Sequence, residues 1–353
     1  MKISKIALPA IITAAVMFFT TSCGRGNYEA AYSPEETGLG LVKITDESKN
    51  VVVGTNVNVH SVDGKNAICG SNKGGLSWDS NNVLAISPDG SEIAYLVHQN
   101  NQNNIMVRRA STTSAITQRT FRDVDSFWWG IDDNIYYNDI TEEPYKVCSV
   151  NSHSGTLIRQ HTSNKNSYNP ALSKNGKILY FEQYNSVSGF CIWSINLETG
   201  ELANCAVGYQ PCPIGNGDQE FLCVRNNSKG NSEIWRINYI TGKEQIILSD
   251  AEHGFGNPQI SPDGKWILFT SNAVSSINKR KNVDIFVCKI DGSNVMQLTY
   301  HPAHDICPRW NQDGTAIYFI SNRITSNAWN IWRMNFNPNG ANRSGSNSSI
   351  LRF

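Results

Sequence analysis

The sequence has no excess of charge of either sign, because its 353 residues include 30 basic and 30 acidic side chains. Binding to nucleic acid phosphates requires a basic surface, so nucleic acid is excluded as a main partner. The sequence also differs from disordered chains, which have low hydrophobicity, because 40% of its residues are apolar. We therefore expect a folded protein that binds something other than nucleic acid.

The motifs of common catalytic sites are absent from the sequence as well. It contains no G-x-S-x-G nucleophile elbow, no H-E-x-x-H and no glycine-rich phosphate loop. No catalytic residue and no cofactor-binding residue can be named from motifs. The pattern favours a protein that is not an enzyme, although it leaves that question open.

Paired cysteine motifs are missing too, since the nine cysteines include no C-x-x-C and zinc is not expected. Apart from Cys23, most of them lie in apolar strand patterns, where a free thiol packs as a small hydrophobic group. An even number in an exported chain would also allow disulfides. Cys205, Cys212 and Cys223 lie closest in sequence and form the one plausible bridging set. We favour free, buried cysteines.

The N-terminus has the features of an export signal. Lys2 and Lys5 precede a 14-residue apolar run at residues 6–19, which is short for a membrane-spanning helix. The following Thr-Thr-Ser-Cys resembles a bacterial lipobox, which implies cleavage before Cys23 and attachment of a diacylglycerol and an acyl chain to it. The alternative is an ordinary signal peptide with an incidental cysteine.

The lipobox resemblance predicts how the chain is organised and where it is located. Residues 1–22 are expected to be a lipoprotein signal peptide, and residues 23–38 a lipidated tether. Gly24 follows the cysteine where inner-membrane retention usually uses Asp, so outer-membrane attachment through lipid is favoured. No acidic run follows the cysteine, and a periplasm-facing orientation is therefore expected.

What the sequence has in abundance is glycine and asparagine, with 27 and 41 residues. Both tolerate positive φ, so many tight turns and many short strands are expected. A Ser-Pro-Asp-Gly turn or a close variant recurs before apolar runs; Pro presets one turn position, and Gly takes the left-handed position that closes a hairpin. The glycine-equivalent positions are 90, 134, 176, 218, 264 and 314, which lie 42 to 50 residues apart.

These repeats predict the fold class: an all-β chain forming a single β-propeller of four-stranded antiparallel blades over residues 39–340, with a tail at 341–353. Six repeats are evident. Residues 41–70 contribute a further partial copy, so seven blades are favoured and six is the alternative. Because the last unit lacks a fourth strand, an N-terminal strand at residues 41–44 is expected to close the ring.

The repeat resembles that of TolB-type propellers, which are relatives of the WD repeat. The most specific stretch runs from Leu298-Thr299 through His301-Pro302-Ala303-His304-Asp305, Pro308-Arg309-Trp310 and Asp313-Gly314 to Ser321-Asn322-Arg323, and residues 257–272 match well too. The resemblance covers residues 80–340. It implies the fold and little about activity, because propellers host unrelated functions.

Histidines suggest a candidate surface. His253, His301 and His304 fall in connections between blades, which share one face with the long loops between second and third strands. That face predicts either binding of an envelope protein partner or a glycan site. Some propellers of similar repeat are oligogalacturonate-type lyases in which histidines hold a divalent metal. We favour the view that these histidines structure the interblade loops and hold no metal.

Other conspicuous residues have structural explanations. Asp89, Asp263 and Asp313 could act as paired carboxylates, but each occupies a turn position in its repeat. Trp128 and Trp129 could stack on sugars, although core packing is expected for at least one. Residues 279–281 are basic and are expected to be a solvated loop tip. The sequence therefore predicts a lipid-anchored envelope protein whose propeller binds or assembles partners that the sequence does not identify.

Overall fold

A computed structural model describes residues 36, 38–45, 82–99, 102–111, 115–215, 218–273, 282–325 and 328–337. Within these residues the regular structure consists of 24 β-strands and contains no α-helix. They form six four-stranded antiparallel sheets, so the predicted all-β propeller class is confirmed. No helix in the described part of the chain is long and apolar enough to cross a membrane.

Each blade uses four strands that follow one another in the chain, except that the last blade borrows the N-terminal strand. The N-terminal strand is β1 (Val42–Lys43), and blade 1 contains β2 (Leu84–Ile86), β3 (Glu92–Gln99), β4 (Gln102–Arg109) and β5 (Ile116–Gln118). Blade 2 contains β6 (Val124–Trp129), β7 (Asn134–Asp139), β8 (Lys146–Asn151) and β9 (Leu157–Gln160). Blade 3 contains β10 (Ser167–Leu172), β11 (Ile178–Asn185), β12 (Gly189–Asn196) and β13 (Leu202–Val207).

The second half of the ring repeats this arrangement. Blade 4 contains β14 (Tyr209–Pro213), β15 (Glu220–Asn226), β16 (Ser232–Asn238) and β17 (Lys243–Leu248). Blade 5 contains β18 (Phe255–Ile260), β19 (Trp266–Ser271), β20 (Asp284–Lys289) and β21 (Met296–Gln297). Blade 6 contains β22 (Asp305–Trp310), β23 (Ala316–Thr325) and β24 (Ala328–Asn335), with β1 as its outer strand.

The ring closes after six blades. The first strand of each blade contacts the first strand of the next, and β22 of blade 6 contacts β2 of blade 1 directly. At this joint the Arg309 Nε–H donates to the Leu84 carbonyl at 2.8 Å. The six-bladed alternative is therefore confirmed, and the favoured count of seven is wrong. The sequence counted residues 41–70 as a further partial blade; of these, residues 41–45 belong to blade 6 and the rest lie outside the described residues.

The N-terminal strand completes blade 6, as the sequence predicted. β1 pairs antiparallel with β24, so that Val42 lies opposite Arg333 and Lys43 opposite Trp332. The Ile44 N–H donates to the Ile331 carbonyl at 2.7 Å, and the Thr45 hydroxyl donates to the Asn330 side chain at 3.1 Å. An early and a late segment of the chain are thus joined in one sheet, which fastens the ring without a covalent bond.

Burial explains why the strand patterns differ within a blade. Neighbouring blades cover both faces of the inner strands, so β19 is apolar or buried along nearly its whole length. The outermost strands are covered much less, and all four residues of β9 are exposed. The core is consequently aromatic and lies between blades, with Trp332, Tyr180 and Phe221 among its fully buried side chains.

The recurring hairpin turns have the predicted geometry. Gly90 and Gly264 adopt φ of +75° and +73°, the left-handed region that glycine occupies without strain. The Asp89 carboxylate accepts hydrogen bonds from the Ser87 hydroxyl at 2.6 Å and from the Ser91 N–H at 3.0 Å. These bonds lower the pKa of Asp89 to about 2. The assignment of this aspartate as a turn residue is confirmed.

Candidate functional site

A central cavity of about 350 Å³ opens on the face that carries the hairpin turns. We call it the funnel. The first strand of every blade or the turn after it contributes to its wall, with Ile86, Trp129, Leu172, Pro213, Ile260 and Trp310 as one residue from each blade. Its volume lies in the range of ligand pockets, which are typically about 300–1,000 Å³. Among the described residues this is the cavity that the six-fold arrangement itself creates.

The funnel mouth combines apolar and polar side chains from the hairpin turns. Ile131 lies there with 53% of its surface exposed, and Pro88 and Pro262 line the mouth from the turns of other blades. Lys174 and Gln312 add polar groups at the rim. None of the residues that line the funnel is acidic. The site thus combines an apolar wall with positive charge.

Near the beginning of the inner strands, hydrogen bonds connect blades across the central axis of the funnel. The Asn82 N–H, just before β2, donates to Oδ1 of Asn169 on β10 at 3.3 Å, although blade 2 separates these strands in the ring. The Asn169 N–H in turn donates to the Ser126 hydroxyl of blade 2 at 3.1 Å. These contacts tie three blades together and place polar groups across the channel.

β-Bulges in the first strands of four blades set the direction of the side chains near the central axis. Asn169, Gln210, Asn257 and Cys307 adopt φ between +43° and +54°, and the ladder of each strand shifts register at that point. Every one of them directly precedes a proline. A β-bulge re-aims a side chain and increases the local twist of its strand. Consistent with this, the Gln210 side chain accepts the Asn257 N–H of the next blade at 2.7 Å.

Arg309, on β22, is the charged group deep in the funnel. Its side chain lines the cavity while the residue is only 6% exposed. Three neutral oxygens accept its hydrogen bonds: the Leu84 carbonyl at 2.8 Å, the Pro308 carbonyl at 2.8 Å and the Asn82 side chain at 2.6 Å. Burial lowers the pKa of this guanidinium. The funnel therefore has a buried cation at its inner end.

The two tryptophans singled out in the sequence both line the funnel. Trp129 is buried, and its indole N–H donates to Asp133 at 2.9 Å. Trp128 is partly buried and packs against the cores of blades 2 and 3. Core packing is thus observed, and both rings also shape the cavity wall.

The histidines of the alternative metal site are held in loops by local hydrogen bonds. Nδ1 of His301 accepts the Ala303 N–H at 3.0 Å, and Nδ1 of His304 accepts the Val283 N–H at 3.2 Å. Burial lowers the pKa of His304 to about 4. His253 contacts Asp250 at 2.9 Å. Across the described residues no group of three or more His, Cys, Asp or Glu side chains is arranged to hold a metal ion.

A buried charge cluster between blades 5 and 6 was missed from the sequence. Arg323 donates to Glu36 at 2.9 Å and to Asp305 at 2.6 Å, with all three side chains fully buried. Glu36, which the sequence assigned to the tether, also accepts the Tyr300 N–H at 2.9 Å. Asp284 lies nearby, and burial raises its pKa well above the usual range. This cluster anchors the N-terminal segment to the ring.

The seven cysteines within the described residues are free, and six of them are buried. Burial raises the pKa of Cys223 and Cys288 to about 12 and that of Cys212 to about 11. Thiols with these pKa values stay protonated at neutral pH and react slowly. The prediction of free, buried cysteines agrees with this, while Cys23 and Cys69 lie outside the described residues.

Several further predictions also fall outside the described residues. These are the signal peptide at 1–22, most of the tether at 23–38, the basic tip at 279–281 and the tail at 341–353.

Comparison with solved structures identifies TolB-type β-propellers as structural neighbours. A protein assigned as TolB from Agrobacterium tumefaciens has a TM-score of 0.55 at 18% identity, covering 72% of this chain and 90% of its own. TolB from Acinetobacter baumannii has a TM-score of 0.56 at 15% identity, covering 71% of this chain and 65% of that protein. Oligogalacturonate lyase from Vibrio parahaemolyticus has a TM-score of 0.54 at 9% identity, and the match covers 85% of this chain and 94% of the lyase.

These likenesses establish the fold, as expected from the sequence resemblance, and leave activity open. No protein-family profile and no curated protein sequence matches this chain.

Proposed function

We propose that this protein is a lipid-anchored cell-envelope protein whose propeller binds a partner protein through the funnel. The observation that carries the proposal is the Ile131 side chain, which is 53% exposed at the entrance of a cavity of about 350 Å³ with a largely apolar wall. An apolar segment that enters such a cavity buries its surface and that of the wall, which stabilises a complex. The structural likeness to TolB propellers supports this class of function.

Attachment to the outer membrane, with the propeller in the periplasm, is the second part of the proposal. It rests on the lipobox-like Thr20-Thr21-Ser22-Cys23 and on Gly24 after the cysteine. Several acyl chains hold a protein on a membrane far more firmly than one does.

Site-specific photo-crosslinking in the native host tests partner binding. A photoreactive amino acid at Ile131 and another at Gln312 lie on different blades around the same mouth. Both positions should capture the same protein. Ile240 is the matched control, because it is 63% exposed but does not line the funnel. Capture of no partner at either mouth position, or of the same partner at Ile240, would contradict the proposal.

A metal-dependent oligogalacturonate-type lyase or a glycan-binding propeller is the second candidate, supported by the fold likeness to oligogalacturonate lyase. It requires His301 and His304 to leave their present partners, since both accept backbone N–H groups through Nδ1. Calorimetric titration with manganese and an oligogalacturonate cleavage assay test it. Activity that is lost on combined His253→Ala, His301→Ala and His304→Ala substitution would favour the lyase over the binding protein.

A further inference from the structure

Arg309 differs from Arg323, another buried arginine of this ring. Arg323 is paired with two carboxylates, Glu36 and Asp305. The described hydrogen bonds of Arg309 go only to neutral oxygens, and they use three of its five N–H donors. The ionisable groups closest to it electrostatically are the Cys307 and Cys212 thiols.

A buried cation without a negative partner is unfavourable, because its charge has lost the solvation that water provides. The usual remedy in a protein is a carboxylate, and Arg323 has two of them. At Arg309 the adjacent space is the funnel, and no residue that lines the funnel is acidic. A negative group that enters from the mouth would therefore find a buried guanidinium and no competing carboxylate on the wall.

The other residues that line the funnel restrict the kind of ligand that can bear this negative group. The wall is formed by Trp129, Ile260 and Trp310 with other apolar side chains, so the body of the ligand must be apolar. Lys174 at the rim adds positive charge. A cavity of about 350 Å³ admits a few residues of an extended chain and not a folded domain.

We propose that the funnel recognises the C-terminal carboxylate of its partner protein, with Arg309 as the carboxylate-binding residue and the apolar wall holding the last side chains. This inference rests on the proposed function, since it specifies which part of the partner enters the mouth. Guanidinium groups bind carboxylates through charge-assisted, often bidentate hydrogen bonds, which are about twice as strong as neutral ones. Recognition would therefore depend on the free carboxylate as well as on an apolar last residue.

Paired peptides test the carboxylate directly on the unmodified protein. The probes are Gly-Ser-Ala-Leu-Phe with a free C-terminus and the same peptide as its C-terminal amide. Binding is measured by calorimetry and by tryptophan fluorescence, because Trp128, Trp129 and Trp310 line the site. The acid should bind at least tenfold more tightly than the amide. Equal affinity of the two peptides would overturn the proposal without any need for a variant.

An Arg309→Met variant, checked for folding by its circular dichroism and unfolding midpoint, assigns the effect to this residue. It should bind acid and amide equally weakly, whereas Lys174→Met should keep most of the preference for the acid. A full preference for the acid in Arg309→Met would overturn the assignment.

A medium-chain fatty acid such as octanoate distinguishes a chain terminus from a free carboxylate ligand. Octanoate binding at Arg309 with no binding of the peptide acid would overturn the proposal of a chain terminus. If photo-crosslinking at Ile131 captures a partner while the acid and amide peptides bind alike, the proposed function stands and this inference fails.

Discussion

At the scale of single residues, the fully buried ion pairs of the described residues lie in the cluster of Glu36, Asp305, Asp284 and Arg323. One guanidinium faces three buried carboxyl groups, and its planar face also lies over the rings of Phe319 and Trp332 at 5.3 and 5.2 Å. Burial raises the pKa of Asp305 to about 6 although Arg323 counteracts the shift. The cluster is therefore held together by a single positive charge.

Replacing Arg323 with Met should destabilise the fold by about 3–5 kcal/mol at pH 7, because two carboxylates lose their buried partner. The loss should be smaller at pH 5, where Asp305, whose pKa is raised to about 6, takes up a proton. Urea unfolding at both pH values measures this. Lys177→Met is the matched control, since Lys177 and Glu198 form a pair more than half exposed, and it should cost less than about 1 kcal/mol. Equal losses in the two variants would contradict the role of the cluster.

Glu182 provides a second prediction, about pH. Its side chain is fully buried near Asp125, and burial raises its pKa to about 8, while Oε1 accepts the Gln210 N–H at 2.6 Å. The folded state therefore holds a proton that the unfolded chain releases above its ordinary pKa. This contribution to stability is lost as pH rises from about 4.5 towards 8, by up to about 1.4 kcal/mol per pH unit.

Glu182→Gln keeps an oxygen acceptor for Gln210 and cannot ionise. Relative to the natural protein, the variant should gain stability steadily between pH 5 and pH 8. Urea midpoints of both proteins measured across this range test the prediction. Parallel curves would show that Glu182 ionises in the folded state with an ordinary pKa.

At the scale of single elements, β1 has an importance that its two residues do not suggest. It supplies the outer strand of blade 6, and the buried Ile44 that follows packs in the core shared by blades 6, 1 and 2. Val42, two residues earlier, is 42% exposed. The strand therefore fastens the ring through its backbone and one adjacent side chain.

Ile44→Ala should destabilise the protein by about 2–4 kcal/mol, because it removes buried methyl groups and leaves a cavity at the fastening point. Val42→Ala should stay within about 0.5 kcal/mol, since most of this exposed side chain adds little to packing. Urea unfolding of the two variants side by side measures the difference. Similar small losses would mean that the ring does not depend on this closure.

The elements were also the part of the structure that the sequence predicted best. Hairpin turns such as Ser87–Ser91 depend on local chemistry, in which Pro, Asp and Gly each need a particular backbone conformation, and so they are visible in the sequence. The closing strand at 42–43 was predicted because the last repeat lacked a partner. Inter-blade groups such as Arg309 and Glu36 were not predicted as a site, because their partners lie more than 200 residues away.

At the scale of the whole molecule, blade number depends on how the blades pack, which repeat counting does not measure. Residues 41–70 have alternating apolar patterns that suggest another blade, yet β22 of blade 6 and β2 of blade 1 contact each other. Contacts between adjacent blades fix the angle between them and therefore how many close a ring. The funnel results from that closure, since all six inner strands contribute to its wall.

In the proposed lipid attachment, the position of this ring in the cell depends on Cys23. Between Cys23 and the buried Glu36 lie at most about 45 Å of extended chain, so a lipid on Cys23 would keep the propeller close to the membrane. Each buried methylene of an acyl chain contributes about 0.8 kcal/mol to membrane binding. The charge of the chain is balanced, so the proposed attachment relies on lipid and not on electrostatic attraction.

Cys23→Ser should abolish incorporation of radiolabelled palmitate and shift the protein from the membrane fraction to the released fraction. Cys69→Ser is the control, because it removes a cysteine that does not follow the apolar leader and should leave labelling and fractionation unchanged. Circular dichroism of the released Cys23→Ser protein should match that of the natural protein, since the anchor lies outside the ring. Membrane retention of Cys23→Ser, with labelling intact, would show that the leader acts as an ordinary signal and that another contact holds the propeller in the envelope.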